Sequence, residues 1–321
     1  MKNLQISILG AGFSGLALCH YLQQMLDTPL ITLWDPKGIG GGASGVATGM
    51  IHPYAGVKAR LNVNGHEGFA ETETLIALAE NQLNRSIILS RGILRLPKSE
   101  EQQLHFEQAA LEHEDLVWLK PKETVEKLDW LPHTPSLWIP NGLTIDCQAY
   151  LEGLWQSCKA NGARLRKQAK QELGPEHTFI ACGIACKDFL PDLPLTPIKG
   201  QTLLIDWPET LTFPTFTVSH SSYLTPTSHP RRFLLGGTYE RTFSSPEPDP
   251  QTARSLLLEP YPLLKTAHVQ SCQAAIRTST PDHLPIAKQV DDKTFVFTGL
   301  GSKGLLWHAH YAKALVSSLS F

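Results

Sequence analysis

Ile6-Ser7-Ile8-Leu9-Gly10-Ala11-Gly12-Phe13-Ser14-Gly15 is an apolar strand that breaks into a glycine turn and passes directly into a helix. Residues 4–9 as a strand, 13–26 as a helix and 30–34 as a second strand make a βαβ unit, which implies a parallel sheet. Gly10, Gly12 and Gly15 carry the GxGxxG spacing. The first glycine permits the tight turn, the second lets backbone approach a pyrophosphate, and the third lets the helix pack close to the sheet. The free N–H groups at the helix start, around Phe13 and Ser14, present a partial positive charge to phosphates. Asp35 closes the second strand 20 residues beyond Gly15, with Pro36 beside it. A carboxylate there binds adenosine ribose hydroxyls and disfavours a 2′-phosphate.

Later segments choose between dinucleotides. Gly40-Gly41-Gly42-Ala43-Ser44-Gly45 is a second glycine turn soon after the ribose acid, and its small residues let backbone and the Ser44 hydroxyl approach an extended ligand. A short buried strand at 178–181 ends at Cys182-Gly183. Near the C-terminus a strand at 294–298 leads through Gly299-Leu300-Gly301-Ser302-Lys303-Gly304 and Leu305 into a final helix. Such a helix start suits the anionic pyrimidine edge of a reduced flavin. Three glycine turns spread along the chain fit one long cofactor, FAD, bound non-covalently.

Between these turns the character changes. Residues 92–97, 201–206, 216–224 and 233–238 read as antiparallel strands separated by proline-rich turns, and a helix capped by Asp146 runs to Lys159. The loop 244–250 precedes a helix starting near Gln251. The fold class is therefore α/β (α+β), a Rossmann-like FAD-binding domain interleaved with a mainly antiparallel β-sheet substrate domain. The expected division is 1–84, 142–197 and 280–321 for the cofactor, and 85–141 and 198–279 for the substrate.

With 321 residues, 42% of them hydrophobic, the chain has ample material for a large core. A net charge of −2 gives no global basic field of the kind a dedicated nucleic-acid binder carries. No apolar run approaches the ~20 residues of a membrane span, and Lys2 opens no signal-peptide pattern. A cytoplasmic location is the expectation. The cysteines at 19, 147, 158, 182, 186 and 272 show no metal or redox spacing; three residues separate Cys182 from Cys186, so they are no CxxC pair. They are expected to be reduced and mostly buried.

The whole chain resembles the FAD-dependent amine oxidoreductases related to D-amino-acid oxidase, glycine oxidase and sarcosine oxidase. The resemblance rests on the fingerprint, Gly41-Gly42-Ala43-Ser44-Gly45, Arg91-Gly92-Ile93-Leu94, Leu195-Thr196-Pro197-Ile198-Lys199-Gly200-Gln201, Arg277-Thr278-Ser279-Thr280-Pro281-Asp282 and the Gly299–Gly304 loop. Pro197-Ile198-Lys199-Gly200-Gln201, Ser222-Tyr223-Leu224-Thr225-Pro226, Asp282-His283-Leu284-Pro285 and Gly301-Ser302-Lys303-Gly304-Leu305 are most similar to the oxidase part of the bifunctional tRNA 5-methylaminomethyl-2-thiouridine biosynthesis proteins. Their methyltransferase part is not expected, because the fingerprint begins at residue 6. The stretch 163–178 leaves little room for the small β-meander usual before the 180–183 strand end. Its Arg164, Arg166, Lys167 and Lys170 fit a tRNA contact or a solvated connection equally.

The resemblance implies oxidation of a C–N bond in a carboxylate-bearing amine by hydride transfer to flavin N5, with hydrolysis of the resulting imine. Arg277 falls at the substrate-arginine position, and its planar fork matches a carboxylate bidentately. Tyr223 places its phenol on the same carboxylate or is a core tyrosine. His52, in Met50-Ile51-His52-Pro53, contacts flavin or the reacting amine, or is structural. Lys303 adds positive charge near the flavin or points to solvent. Tyr239 is a weaker substrate contact, and Asp282 and His283 shape the loop holding Arg277. Three functions remain open: removal of the carboxymethyl group from 5-carboxymethylaminomethyl-uridine of tRNA, oxidation of glycine, sarcosine or a D-amino acid, and a flavin-bound binding role with little turnover. The pattern specifies neither oligomeric state nor electron acceptor.

Overall fold

The computed structural model describes residues 4–319; Lys2 and the outermost residues of the 1–84 and 280–321 segments lie outside the described residues. β1 (Gln5–Leu9), α1 (Phe13–Met25) and β2 (Leu30–Trp34) form the expected βαβ unit, with β1 and β2 parallel and in register from Gln5↔Leu30 to Leu9↔Trp34. The first three turns of α1 are buried almost all round, so this helix sits inside the molecule rather than on its surface. A single turn α2 (Ala43–Val46) and the short β3 (Met50–Ile51) lead to α3 (Gly65–Leu83) and β4 (Ile88–Arg95). β4 begins before Gly92, where a strand start was expected. Gly92 instead marks a bulge at φ +88°, and a Cβ there would lie 2.0 Å from the Trp138 ring.

α4 (Glu100–Glu112), β5 (Val117–Leu119), α5 (Pro121–Lys127) and β6 (Ser136–Ile145) follow. α6 (Cys147–Ala160) starts at Asp146, whose carboxylate accepts from the Ala149 N–H at 3.0 Å. β7 (Arg164–Arg166), β8 (His177–Ile180) and β9 (Thr196–Asp206) come next. The stretch expected as one strand at 216–224 is two, β10 (Thr217–Ser219) and β11 (Tyr223–Pro226). The chain reverses between them because His220 N bonds Ser222 O, while the Ser222 hydroxyl is tied to the Leu257 carbonyl. β12 (Arg232–Gly236), α7 (Pro250–Leu258), β13 (Val269–Ser279), β14 (Ile286–Gln289), β15 (Thr294–Thr298) and α8 (Gly304–Ser317) complete the chain.

These elements form two sheets. The first has the order β14-β15-β8-β1-β2-β7 and is parallel except where β14 meets β15. Helices α1, α3, α6 and α8 cover one face in a core that includes Leu16, Ile76, Leu154 and Trp307. Leu9, Ile180, Cys186 and Val296 pack on the other. The second sheet runs β13-β9-β12-β11-β10-β4-β6-β3, with β5 on β6. It is mainly antiparallel, as expected, with one parallel pair, β10 on β4. Leu203, Phe233 and Leu257 belong to the core between this sheet and α7. The short β3 pairs with β6, so the 1–84 segment also reaches the second sheet.

The 163–178 stretch holds no meander: an edge strand, β7, and a loop lead to β8. Its basic residues do not act together. Lys170 is turned inward to Glu176 and the Ser7 hydroxyl, over the Trp34 ring, while Arg164 and Arg166 stand exposed on β7. Among the described residues no helix is long and apolar enough to cross a membrane.

Candidate active site

Adjacent parallel strands end together, and this places the scattered glycine turns side by side. β1, β8 and β15 are neighbours, so the turns after Leu9, Ala181 and Thr298 share one edge of the first sheet. At Gly10, φ is +107° and a Cβ would lie 2.4 Å from the Ala181 carbonyl oxygen. At Gly15 a Cβ would lie 2.0 Å from Gly10 O, and at Gly12 it would meet the Ser44 hydroxyl at 2.7 Å. Each glycine is therefore required by a contact as well as by the motif. Gly12 caps α1 without a side-chain bond, and the next amide, Phe13 N, donates to Ser44 Oγ at 3.0 Å. The Gly42-Ala43-Ser44 turn is thereby fastened to the start of α1.

Asp35 sits where expected, at the end of β2. Its Oδ2 accepts from Ala11 N and its Oδ1 from Lys37 N, both at 2.9 Å, with Pro36 between them. Each oxygen keeps a lone pair for a further donor. Cys182-Gly183 joins the C-terminal loop, for Gly183 O accepts from the Thr298 hydroxyl at 3.0 Å. Cys182 and Cys186 are brought to an Sγ–Sγ distance of 3.8 Å by one helical turn, a pairing that the CxxC criterion misses. Gly304 packs on the Phe13 ring, with its Cβ position 3.5 Å from Phe13 Cδ2, while Leu305 enters the core. The residues present fit FAD: a helix N-terminus without a side-chain cap from Gly12, small side chains and the Asp35 carboxylate lie along one sheet edge.

Beside these turns opens a small cleft, with a cavity volume of about 30 Å³, lined by Arg277, Ser279, Tyr239, His283, Gly301, Ser302 and Lys303 among others. Gly299 and Gly301, at φ +80° and +59°, bend the loop that forms one wall. Arg277 comes from β13, opposite Ile198 of β9. Its guanidinium lies over Gly200, where a Cβ would be 2.4 Å from Nη2, and it donates to the Thr238 carbonyl. Burial holds Arg277 below its ordinary value, opposed by Tyr223, Tyr239 and Glu240. The Lys303 ammonium lies 4.4 Å from the centre of the Trp307 ring and is likewise lowered by burial. At the rim the Tyr239 ring is 49% exposed, with the Arg277 and Arg241 guanidinium carbons 5.6 and 5.5 Å from its centroid.

Tyr223 and His52 do not line this cleft. Tyr223, on β11, is close enough to act on the charge of both Arg277 and Arg95. Arg95 is buried, donates to the carbonyls of Tyr54 and Gly56, and has a pKa lowered to about 10 by burial. His52 is 3% exposed, its Nδ1 has no hydrogen-bond partner, and its pKa lies well below the ordinary range through burial and then Arg95. Asp282 caps its own turn through Leu284 N at 3.0 Å, and His283, at φ +60°, turns its Nδ1 to the Ser279 hydroxyl. The sequence reading missed Gly200 as the floor under Arg277, Ser279 as part of the wall and Trp307 as the platform for Lys303. Strand alternation from Ile198 would have found the first.

Residues 5–318 match the family model described as DAO, FAD dependent oxidoreductase. The chain is 25% identical over 331 residues to the tRNA 5-methylaminomethyl-2-thiouridine biosynthesis bifunctional protein of Maricaulis maris, covering 98% of this chain and 52% of that protein. The counterpart in Caulobacter vibrioides is 27% identical, with 98% and 54% covered. The chain thus spans about half the length of the curated relatives it matches. Among solved structures, glycine oxidase from Bacillus cereus superposes with a TM-score of 0.84 at 19% identity, covering 98% of this chain and 94% of that one. At that identity the likeness establishes the fold.

Proposed function

The chain belongs to the DAO family of FAD dependent oxidoreductases, which act on C–N bonds, and from that membership we propose that it removes the carboxymethyl group from 5-carboxymethylaminomethyl-uridine in tRNA. The observation that carries this reading is one cleft in which a half-buried arginine, Arg277, faces the glycine loop 299–304 beneath an exposed aromatic rim. In this reading segments 1–84, 142–197 and 280–321 hold FAD non-covalently, and 85–141 and 198–279 hold the substrate. Bound FAD supplies the acceptor for the hydride that leaves the amine carbon.

The protein's own residues bind and orient. Arg277, fixed by Gly200 below and the Thr238 carbonyl beside it, presents its remaining N–H groups to the substrate carboxylate. Lys303 and the amides of Gly301 and Ser302 add positive potential along the opposite wall. Tyr223 tunes Arg277 from outside the cleft, and His52 stays neutral near Arg95. Hydrolysis of the imine then releases glyoxylate and leaves the aminomethyl base. Tyr239 at the rim, flanked by Arg241, offers a face for a nucleobase and a cation for a phosphate, which a free amino acid does not require. The full-length similarity to the bifunctional tRNA-modification proteins supports the same substrate.

Anaerobic bleaching of the FAD-loaded protein is the test. Undermodified tRNA should bleach it, whereas glycine, sarcosine and D-alanine should not. Bleaching by a free amino acid with no response to tRNA would overturn the tRNA reading in favour of a small-molecule oxidase. The Arg277→Lys variant should lose most of the rate, because an ammonium lacks the planar fork.

A further inference from the structure

Strand alternation gives β9 two functional faces. Ile198 and Gly200 look into the cleft beside Arg277, while Lys199, Gln201 and Leu203 look the other way, toward α7. Behind the arginine the polar groups close into one network. Gln201 is fully buried; its Nε2 donates to Glu240 Oε1 at 3.0 Å and its Oε1 accepts from Asp249 N at 2.6 Å. Thr238, also buried, receives Gln201 N on its hydroxyl at 2.9 Å and donates that hydroxyl to the same Glu240 oxygen. Its carbonyl takes the Arg277 guanidinium. Lys199 and Glu240 pair through their backbones at 3.0 Å, and the Lys199 ammonium is turned away to the Ser245 carbonyl. One residue, Thr238, thus joins a carboxylate on one side of the sheet to a guanidinium on the other.

We propose that Glu240 is a positioning residue and counter-charge for Arg277, held by Gln201 and Thr238, that limits how tightly the arginine grips a carboxylate. The proposal rests on Arg277 as the carboxylate clamp. A half-buried arginine with no counter-charge would bind an anionic product as firmly as its substrate and slow its release. Glu240 offsets the charge without entering the cleft or making an ion pair within 4 Å, so the N–H groups facing the substrate stay free. Glu240 also opposes the lowering of Arg277 by burial.

The test compares Glu240→Gln with the wild type, both loaded with FAD. The amide oxygen of the variant accepts the same two bonds from Gln201 and Thr238, so the network keeps its shape while the charge is removed. Glycolate and its neutral analogue glycolamide are titrated by calorimetry, and melting temperature is recorded alongside. The expected result is a dissociation constant for glycolate lower by on the order of tenfold, with glycolamide binding and melting temperature unchanged. An unchanged glycolate constant overturns the proposal, as does equal tightening of glycolamide. Arg277→Lys separates the two readings: if it binds glycolate as well as the wild type, the clamp assignment fails and the proposal fails with it.

Discussion

Acidification from pH 7 to pH 5 should weaken the fold through His308. This histidine of α8 has no solvent exposure, with Nε2 2.6 Å from the Tyr150 hydroxyl and Nδ1 3.1 Å from the carbonyls of Gly304 and Leu305. Nδ1 therefore carries the proton and Nε2 accepts from the phenol, which the neutral ring alone satisfies. Burial lowers its pKa from the ordinary 6.5 to about 4. Between those values the unfolded chain takes up a proton that the folded chain refuses, so stability is full above 6.5 and is lost as pH falls through the window. At about 1.4 kcal/mol per pH unit the whole window is worth about 3 kcal/mol, and about 2 kcal/mol of it falls between pH 7 and pH 5. His52 is lowered in the same direction, so the wild type alone does not isolate the effect. His308→Gln, which has no ring to protonate, does. Urea unfolding at pH 7, 6 and 5 should show the gap between wild type and variant closing by about 2 kcal/mol. Parallel stability curves would refute the reasoning.

Four further substitutions probe the two halves of the site. Gly200→Ala pushes a Cβ to 2.4 Å from Arg277 Nη2. Because the far end of a side chain yields, unfolding stability should stay within about 1 kcal/mol while steady-state KM rises by on the order of tenfold. Ser44→Ala removes the 3.0 Å bond to Phe13 N; fluorescence titration of the apoprotein should show FAD affinity reduced by about three- to tenfold. Gly10→Ala meets a backbone carbonyl at 2.4 Å from a φ of +107°, and the purified variant should carry no flavin absorbance. Asp146→Ala deletes the N-cap of α6 and should lower unfolding stability by about 1 kcal/mol by urea titration, with FAD affinity unchanged.

The glycine fingerprint was legible because Gly10, Gly12, Gly15 and Asp35 fall in order within one strand–turn–helix–strand pattern, although the contacts that Gly10 makes with Ala181 and Gly12 with Ser44 appear only in the fold. The substrate half depends on pairing between distant strands. Arg277 was found through resemblance, whereas Gly200 and Thr238, which fix its guanidinium, become visible once β13 lies on β9 in register. Tyr223 and His52 came through resemblance too, each with a structural alternative, because the sequence gives no side-chain direction that would choose between them. The structure sets both outside the cleft, with Arg95 near each of them. Gly92 misled for a related reason: a glycine inside a strand marks a bulge or a start equally well until its partner Trp138 is known.

The strand order β15-β8-β1 also governs biosynthesis. β1 is made first and soon joined by β2, yet its other neighbour, β8, comes far later in the sequence, and one wall of the cleft is formed by residues 300–303. A nascent chain on the ribosome therefore exposes the Gly10–Gly15 turn long before Gly183 and Gly299 arrive to complete the pocket. Stable flavin capture is therefore expected only after the last of these turns has emerged, and a chain terminated before β15 would leave its parallel sheet with an open edge at β8. Ribosome-stalled chains ending near residue 290 should retain no flavin, whereas the released protein does.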